Sequence, residues 1–207
     1  MRKRILASVL ALIMSFCSIL SMVSCQNSNA PELDDVKERL IYLVEESKEL
    51  NVIFFGVGLP VFRRESSLSD RKMVYSGDNL SGYDRLNENS RYTSIDSIKY
   101  AAEQVYSKEY LAAVYEGVFD GILTGNSGAY LRLYDDGKYL YQNTDLHGFT
   151  VNERIYDYST MTIIEPSSAD YINVTVESYS IENSKRITIT LSFTFERGDW
   201  YLDCPTY

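Results

Sequence analysis

Side chains able to do covalent chemistry are scarce in this 207-residue sequence, which has three cysteines, Cys17, Cys25 and Cys204, and one histidine, His147. A cysteine nucleophile needs a neighbouring base to make its thiolate. Cys204 with His147 is one such pair, but no local motif surrounds either residue. Cys204 is therefore expected to be a small residue packed at the end of the last strand. Carboxylate pairs occur at Asp34-Asp35, Glu45-Glu46 and Asp135-Asp136. Adjacent acids point in different directions, and none of these pairs has a glycosidase separation that sequence can establish. Each is expected in a helix or turn facing water. A metal centre needs several convergent ligands, and one histidine among scattered acids offers no such spacing. Gly56-Val57-Gly58 follows an apolar run as a phosphate loop would, but Pro60 comes next with no third glycine or lysine, so a bend is expected. No Gly-x-Ser-x-Gly elbow is present. The expectation is no catalytic residue, no metal and no cofactor.

Binding has more behind it. The chain carries 18 tyrosines, and Tyr75, Tyr83, Tyr92, Tyr156, Tyr158, Tyr171 and Tyr179 are expected in loops or on the polar side of strands. Tyrosine gives contact area at low entropic cost, which binding surfaces exploit; half-burial at a sheet edge is the alternative. The loop around Tyr83, Asp84 and Arg85 is the expected contact. Arg197-Gly198-Asp199 matches an integrin-binding tripeptide, but a glycine between polar residues joining two strands reads first as a hairpin turn. Asn173-Val174-Thr175 fits a glycosylation sequon inside an expected strand.

The first 25 residues bear on location. Arg2-Lys3-Arg4, an apolar segment and Met22-Val23-Ser24-Cys25 describe a secretory signal. Ending on a cysteine, it resembles a bacterial lipoprotein signal, with Met22 in place of the usual leucine. That resemblance implies that Cys25 is acylated, becomes the mature N-terminus and holds the protein to a membrane outside the cytoplasm. A plain cleaved signal is one alternative. A transmembrane anchor is another, since Ile5 to Val23 is 19 residues long, near the span a helix needs. Ser8, Ser15, Cys17, Ser18 and Ser21 interrupt that run, and Ser24 follows it. Residues 1–24 are set apart as signal, 25–31 as tether and 32–207 as one α+β domain. Without 1–24, 17 basic residues face 29 acidic ones, a net charge of −12. That balance argues against nucleic acid, which needs clustered positive charge. It also leaves membrane attachment to acyl chains alone, of which two or more anchor stably. With Cys17 removed and Cys25 lipidated, Cys204 has no disulfide partner.

The elements behind these residues divide into a helical front and a β back. Leu33, Val36, Leu40, Leu43, Val44 and Ser47 recur at helical spacing, predicting an amphipathic helix over 32–50. Val52 to Phe55 reads as a short buried strand. Residues 63–93 are the least regular, with one short strand expected at Lys72 to Tyr75. Thr93-Ser94-Ile95-Asp96 reads as a capped helix start, with Ile95, Ile98, Ala102, Val105 and Tyr106 as its apolar stripe. Ser107 is expected to cap a second helix before Gly121, with Tyr110, Leu111, Val114, Tyr115 and Val118 facing inward. Tyr130 to Tyr134 and Lys138 to Gln142 flank Asp135-Asp136-Gly137, a hairpin signal. Arg154 to Glu165 is a further strand. After Pro166-Ser167-Ser168, Ile172, Val174 and Val176 alternate with polar residues, as do Ile187, Ile189, Leu191, Phe193 and Phe195. Trp200 to Leu202 forms a last strand.

This order predicts an α+β fold, N-terminal helices packed on a curved, mostly antiparallel sheet. With a tryptophan in a final strand after a glycine turn, it resembles the cystatin-like and NTF2-like folds. Gly82-Tyr83-Asp84-Arg85-Leu86, followed by Tyr92-Thr93 and the capped helix, resembles the secreted inhibitors of cell-wall DL-endopeptidases. Tyr156 to Met161 and Trp200 to Tyr207 resemble uncharacterised Firmicute lipoproteins. The expected function is a lipid-anchored, non-catalytic envelope protein that binds another protein, with inhibition of a cell-wall hydrolase as the candidate role. The alternative is an NTF2-like small-molecule-binding or enzymatic domain with its site in the concave sheet face.

Overall fold

The computed structural model describes residues 30–62, 70–76, 79–121, 132–144, 151, 153–181 and 184–207. The signal segment, Cys25 and His147 lie outside them, as do most of the tether and the first strand residues at 130 and 131.

The first helix, α1, spans Leu33–Phe55. Asp34 and Asp35 in its first turn complement the helix dipole. Its buried positions, Val36, Leu40, Leu43, Val44, Ser47, Leu50, Asn51, Ile53 and Phe54, make one continuous stripe. The stripe runs through the stretch expected to be a strand, so Val52 to Phe55 is instead the last turn of α1. Packing of Ile53 and Phe54 against the core outweighs the strand preference of a β-branched run. Gly56 ends the helix, its N–H bonding to the carbonyls of Asn51 and Val52 at 3.1 and 3.0 Å. Gly58, at φ +84°, then turns the chain, as the expected bend requires.

A hairpin follows, β1 (Arg71–Ser76) and β2 (Asn79–Arg85). Helix α2 (Ile95–Glu103) is capped by Ser94, which accepts from the Ser97 N–H at 3.1 Å while Ser97 Oγ accepts from the Ser94 N–H at 3.3 Å. The cap thus sits one residue beyond Thr93. Ser107 caps α3 (Lys108–Tyr115) as expected, and a π-helical turn, Glu116–Gly121, continues it. Short strands β3 (Leu133–Asp135) and β4 (Leu140–Asn143) precede the long β5 (Arg154–Ile164), β6 (Tyr171–Ser180) and β7 (Arg186–Glu196), and β8 (Asp199–Leu202) closes the series.

The class is α+β, with helices and antiparallel strands. The strands fall into two sheets of four, ordered β1-β2-β4-β3 and β5-β6-β7-β8. The second is a simple meander. Arg197 and Gly198, both at positive φ, form its last turn, so the Arg-Gly-Asp tripeptide is the hairpin expected of it. Helix α1 lies against β8 and β5, burying Leu40 and Leu43 with Val174, Leu191 and Phe193. A parallel bridge between Tyr106 and Leu202 ties the α2–α3 junction to the same sheet. The end of α1 meets the first sheet through Gln142, which accepts from the Leu59 N–H at 2.7 Å and donates to the Val57 carbonyl at 3.0 Å.

Candidate functional site

Tyr83, Asp84 and Arg85 lie in a strand rather than a loop, so consecutive side chains point to opposite faces. Tyr83 is fully buried, its ring centroid 6.1 Å from that of Tyr134, and burial raises its phenol pKa. Asp84, on the other face, is also buried. It accepts from Arg71 Nη1 at 3.1 and 3.3 Å and from the Thr144 hydroxyl. The three residues therefore share no exposed surface, and Arg85 alone of them reaches a cavity. Of the other tyrosines expected at the surface, Tyr92 and Tyr156 are buried, while Tyr158, Tyr171 and Tyr179 are half-buried. The Tyr75 side chain lies outside the described residues.

Cys204 packs against the core at the end of β8, as expected. Burial pushes its thiol up to about 11, so it carries a proton at neutral pH, the less nucleophilic form. Its sulfur accepts from the Ser192 N–H at 3.2 Å. Asp34, Asp35 and Glu45 are exposed. Asp136 instead pairs with Lys72 and accepts from the N–H groups of Lys138 and Tyr139 at 2.9 and 2.7 Å. Those contacts, Lys72 first, hold its carboxyl well below the usual range. Among the described residues no cluster of three or more His, Cys, Asp or Glu could hold a metal ion, and no helix is long and apolar enough to cross a membrane. Arg197 of the integrin-like tripeptide is engaged by the protein itself, donating to the carbonyls of Glu103 and Tyr106 at 3.0 and 3.3 Å.

Two concave sites stand out among the described residues. The first is a groove of about 360 Å³ between the C-terminal half of α1, the start of β5 and the tail at Thr206-Tyr207. Val52, Val151, Ile155, Ile181 and Tyr207 supply its apolar wall, and Lys48, Glu49, Glu153 and Arg154 line it with both charges. Ile155 and Ile181 are 42 and 54 % exposed, high for aliphatic side chains. Beneath the groove a buried polar network fixes the tail. Asn51 Nδ2 donates to Thr206 Oγ1 at 2.7 Å, and the Tyr106 hydroxyl donates to Asn51 Oδ1 at 2.8 Å. Ser47 shares a 2.6 Å bond with the Thr206 hydroxyl, and Tyr156 donates to the Thr206 carbonyl. The network left one trace in the sequence, polar residues at positions 47 and 51 on the buried stripe of α1.

The second site is a cavity of about 280 Å³ beside Arg85. The Arg85 guanidinium lies 4.5 Å from the ring centroids of both Phe62 and Tyr139, and its Nη2 meets Asp70 at 2.8 Å. By contrast, the face of the second sheet under α1 is filled by fully buried Leu40, Leu43, Val174, Leu191 and Phe193. No protein-family model matches the chain, and no curated protein matches it in sequence.

Proposed function

We propose that this protein is held outside the cytoplasm by lipid on Cys25 and binds another envelope protein without catalysing a reaction. The groove carries the binding reading: exposed Ile155 and Ile181 beside Tyr207, lined by charges of both signs. Contiguous apolar area rimmed by polar groups is the usual make-up of a protein contact surface. The basic-apolar-cysteine order of the first 25 residues supports the tether. A net charge of −12 outside residues 1–24 favours a partner with a basic face. The filled inner face of the second sheet lends no support to a small-molecule site there. A cell-wall hydrolase is the partner class to test first.

The test uses the full-length protein in detergent, titrated into purified cell-wall hydrolases with binding and hydrolysis read together. Saturable binding that weakens at least tenfold in Ile181→Arg supports the reading; binding to none of them, or equal binding by that variant, counts against it. Radiolabelled palmitate should enter the wild type and not Cys25→Ser.

A further inference from the structure

The cavity beside Arg85 shares no lining residue with the groove, and its chemistry differs. Tyr83 and Arg85 lie on one face of β2, and the guanidinium lies 4.5 Å from the ring centroids of both Phe62 and Tyr139. Contact with two rings restricts its movement. Asp70 engages Nη2 at 2.8 Å, while Nε is buried and donates to nothing. Buried donors without acceptors are uncommon in folded proteins, and one on a charged group is costlier than a neutral one. About 23 % of the Arg85 side chain stays exposed, and the residue lines the cavity.

A second cation stands beside the first. Lys138 Nζ lies 4.8 Å from the same Tyr139 ring that Arg85 covers, and no carboxylate among the described residues pairs with it. The two cations are offset by two carboxylates, Asp70 on Arg85 and Glu88 on the cavity wall, which leaves the site close to charge balance with Lys138 facing the space. Glu88 there disfavours a doubly charged anion and suits a ligand with a cationic group of its own. Leu86, Tyr92 and Leu140 provide apolar wall. At about 280 Å³ the space is at or below the usual range for drug-sized ligands, about 300–1,000 Å³.

From these observations we infer that the cavity binds a small amino-acid-like ligand, its single carboxylate held by Arg85 and Lys138 and its ammonium facing Glu88. Either a free amino acid or the end of a short peptide presents that chemistry. This site stands apart from the groove proposed for a protein partner and can fail without it.

The test is calorimetric titration of the full-length protein in detergent with L-alanine, L-alanyl-L-alanine, L-alaninamide and inorganic phosphate. At least one of the two carboxylate probes should bind, with the amide at least tenfold weaker, and the tighter of the two identifies the source. Arg85→Lys should weaken binding about tenfold, because a point charge cannot replace the planar fork. Lys138→Gln, at an exposed position, should weaken it severalfold with an unchanged melting temperature. Ile181→Arg in the groove should bind as the wild type does. Equal binding of alanine and its amide would overturn the inference, as would tighter binding of phosphate, no binding by either carboxylate probe, or no effect of Lys138→Gln.

Discussion

In the second sheet, β5, β6 and β7 run 11, 10 and 11 residues, and Ile172, Val174, Val176, Leu191 and Phe193 face inward from β6 and β7, fully buried. In the first sheet no strand exceeds seven residues, and the buried positions include Asp84, Gln142 and Asn143. The second sheet relies more on area, although Asn173, Ser178 and Ser180 are buried in it, and the first more on pairing, beside buried Tyr83, Leu133, Leu140 and Tyr141. Apolar area is non-directional and sums over many side chains, and a one-residue slip would turn all of it to water. A buried charge or amide is tolerated only with its own partner in place. Arg71 to Asp84 and Gln142 to Leu59 are such partnerships. The polar sheet therefore depends on individual side chains, and the Arg85 cavity sits at its edge. The groove belongs to the apolar half, where α1 and the tail frame the start of β5.

That contrast sets the order of expected effects. Phe193→Ala removes a fully buried ring and should cost about 3–5 kcal/mol, read as a lower urea midpoint with unchanged slope. Asp84→Ala should cost less, about 2 kcal/mol, because Arg71 is 26 % exposed and water offsets part of the loss of a buried partner. A cost for Asp84→Ala above that for Phe193→Ala would reverse the account of the two sheets. Asn51→Ala cuts the bonds to Thr206 and Tyr106 and should cost about 1–2 kcal/mol. Its particular signature is release of the tail, seen as faster amide exchange near Thr206 while β6 and β7 stay protected.

The smallest effect near neutral pH comes from titration. Burial raises the Cys204 thiol from an ordinary 9.0 to about 11 and raises the phenols of Tyr106, Tyr110 and Tyr156 above their usual 10.0. The unfolded chain loses those protons first as pH rises. Stability should hold up to about pH 9, fall between 9 and 11 as the thiol's share is lost, and go on falling above pH 10 as the phenols' share follows, measured by urea unfolding at fixed pH values. Cys204 should resist alkylation at pH 8 until urea unfolds the chain.

The same division explains what the sequence disclosed. Alternation at Ile187 to Phe195 and at Ile172 to Val176 marked β7 and β6, because an apolar face leaves a period of two. Ser107 and the Arg197-Gly198 turn were legible from local chemistry alone. β2 was not: Asn79 to Arg85 has no apolar alternation, and its pairing with β1 sets Arg71 opposite Asp84. Gly82 leaves the space that the Arg71 guanidinium occupies; a Cβ there would lie 2.0 Å from Nη2. Polar composition consequently read as a loop, and Tyr83 and Asp84 as exposed contacts. Arg85 was picked out as part of a loop contact, while Phe62 and Tyr139, whose rings it lies against, come from separate segments. The groove had no local signal, since Val52, Ile155, Ile181 and Tyr207 meet only in the fold.

Binding of a protein partner along that groove is tested most directly by placing a photo-crosslinking amino acid at Ile155, Ile181 and, as a control on α2, Tyr100, which is 69 % exposed. In living cells the account predicts one shared adduct at Ile155 and Ile181 and none at Tyr100. No adduct at the groove positions, or one equally strong at Tyr100, would contradict it.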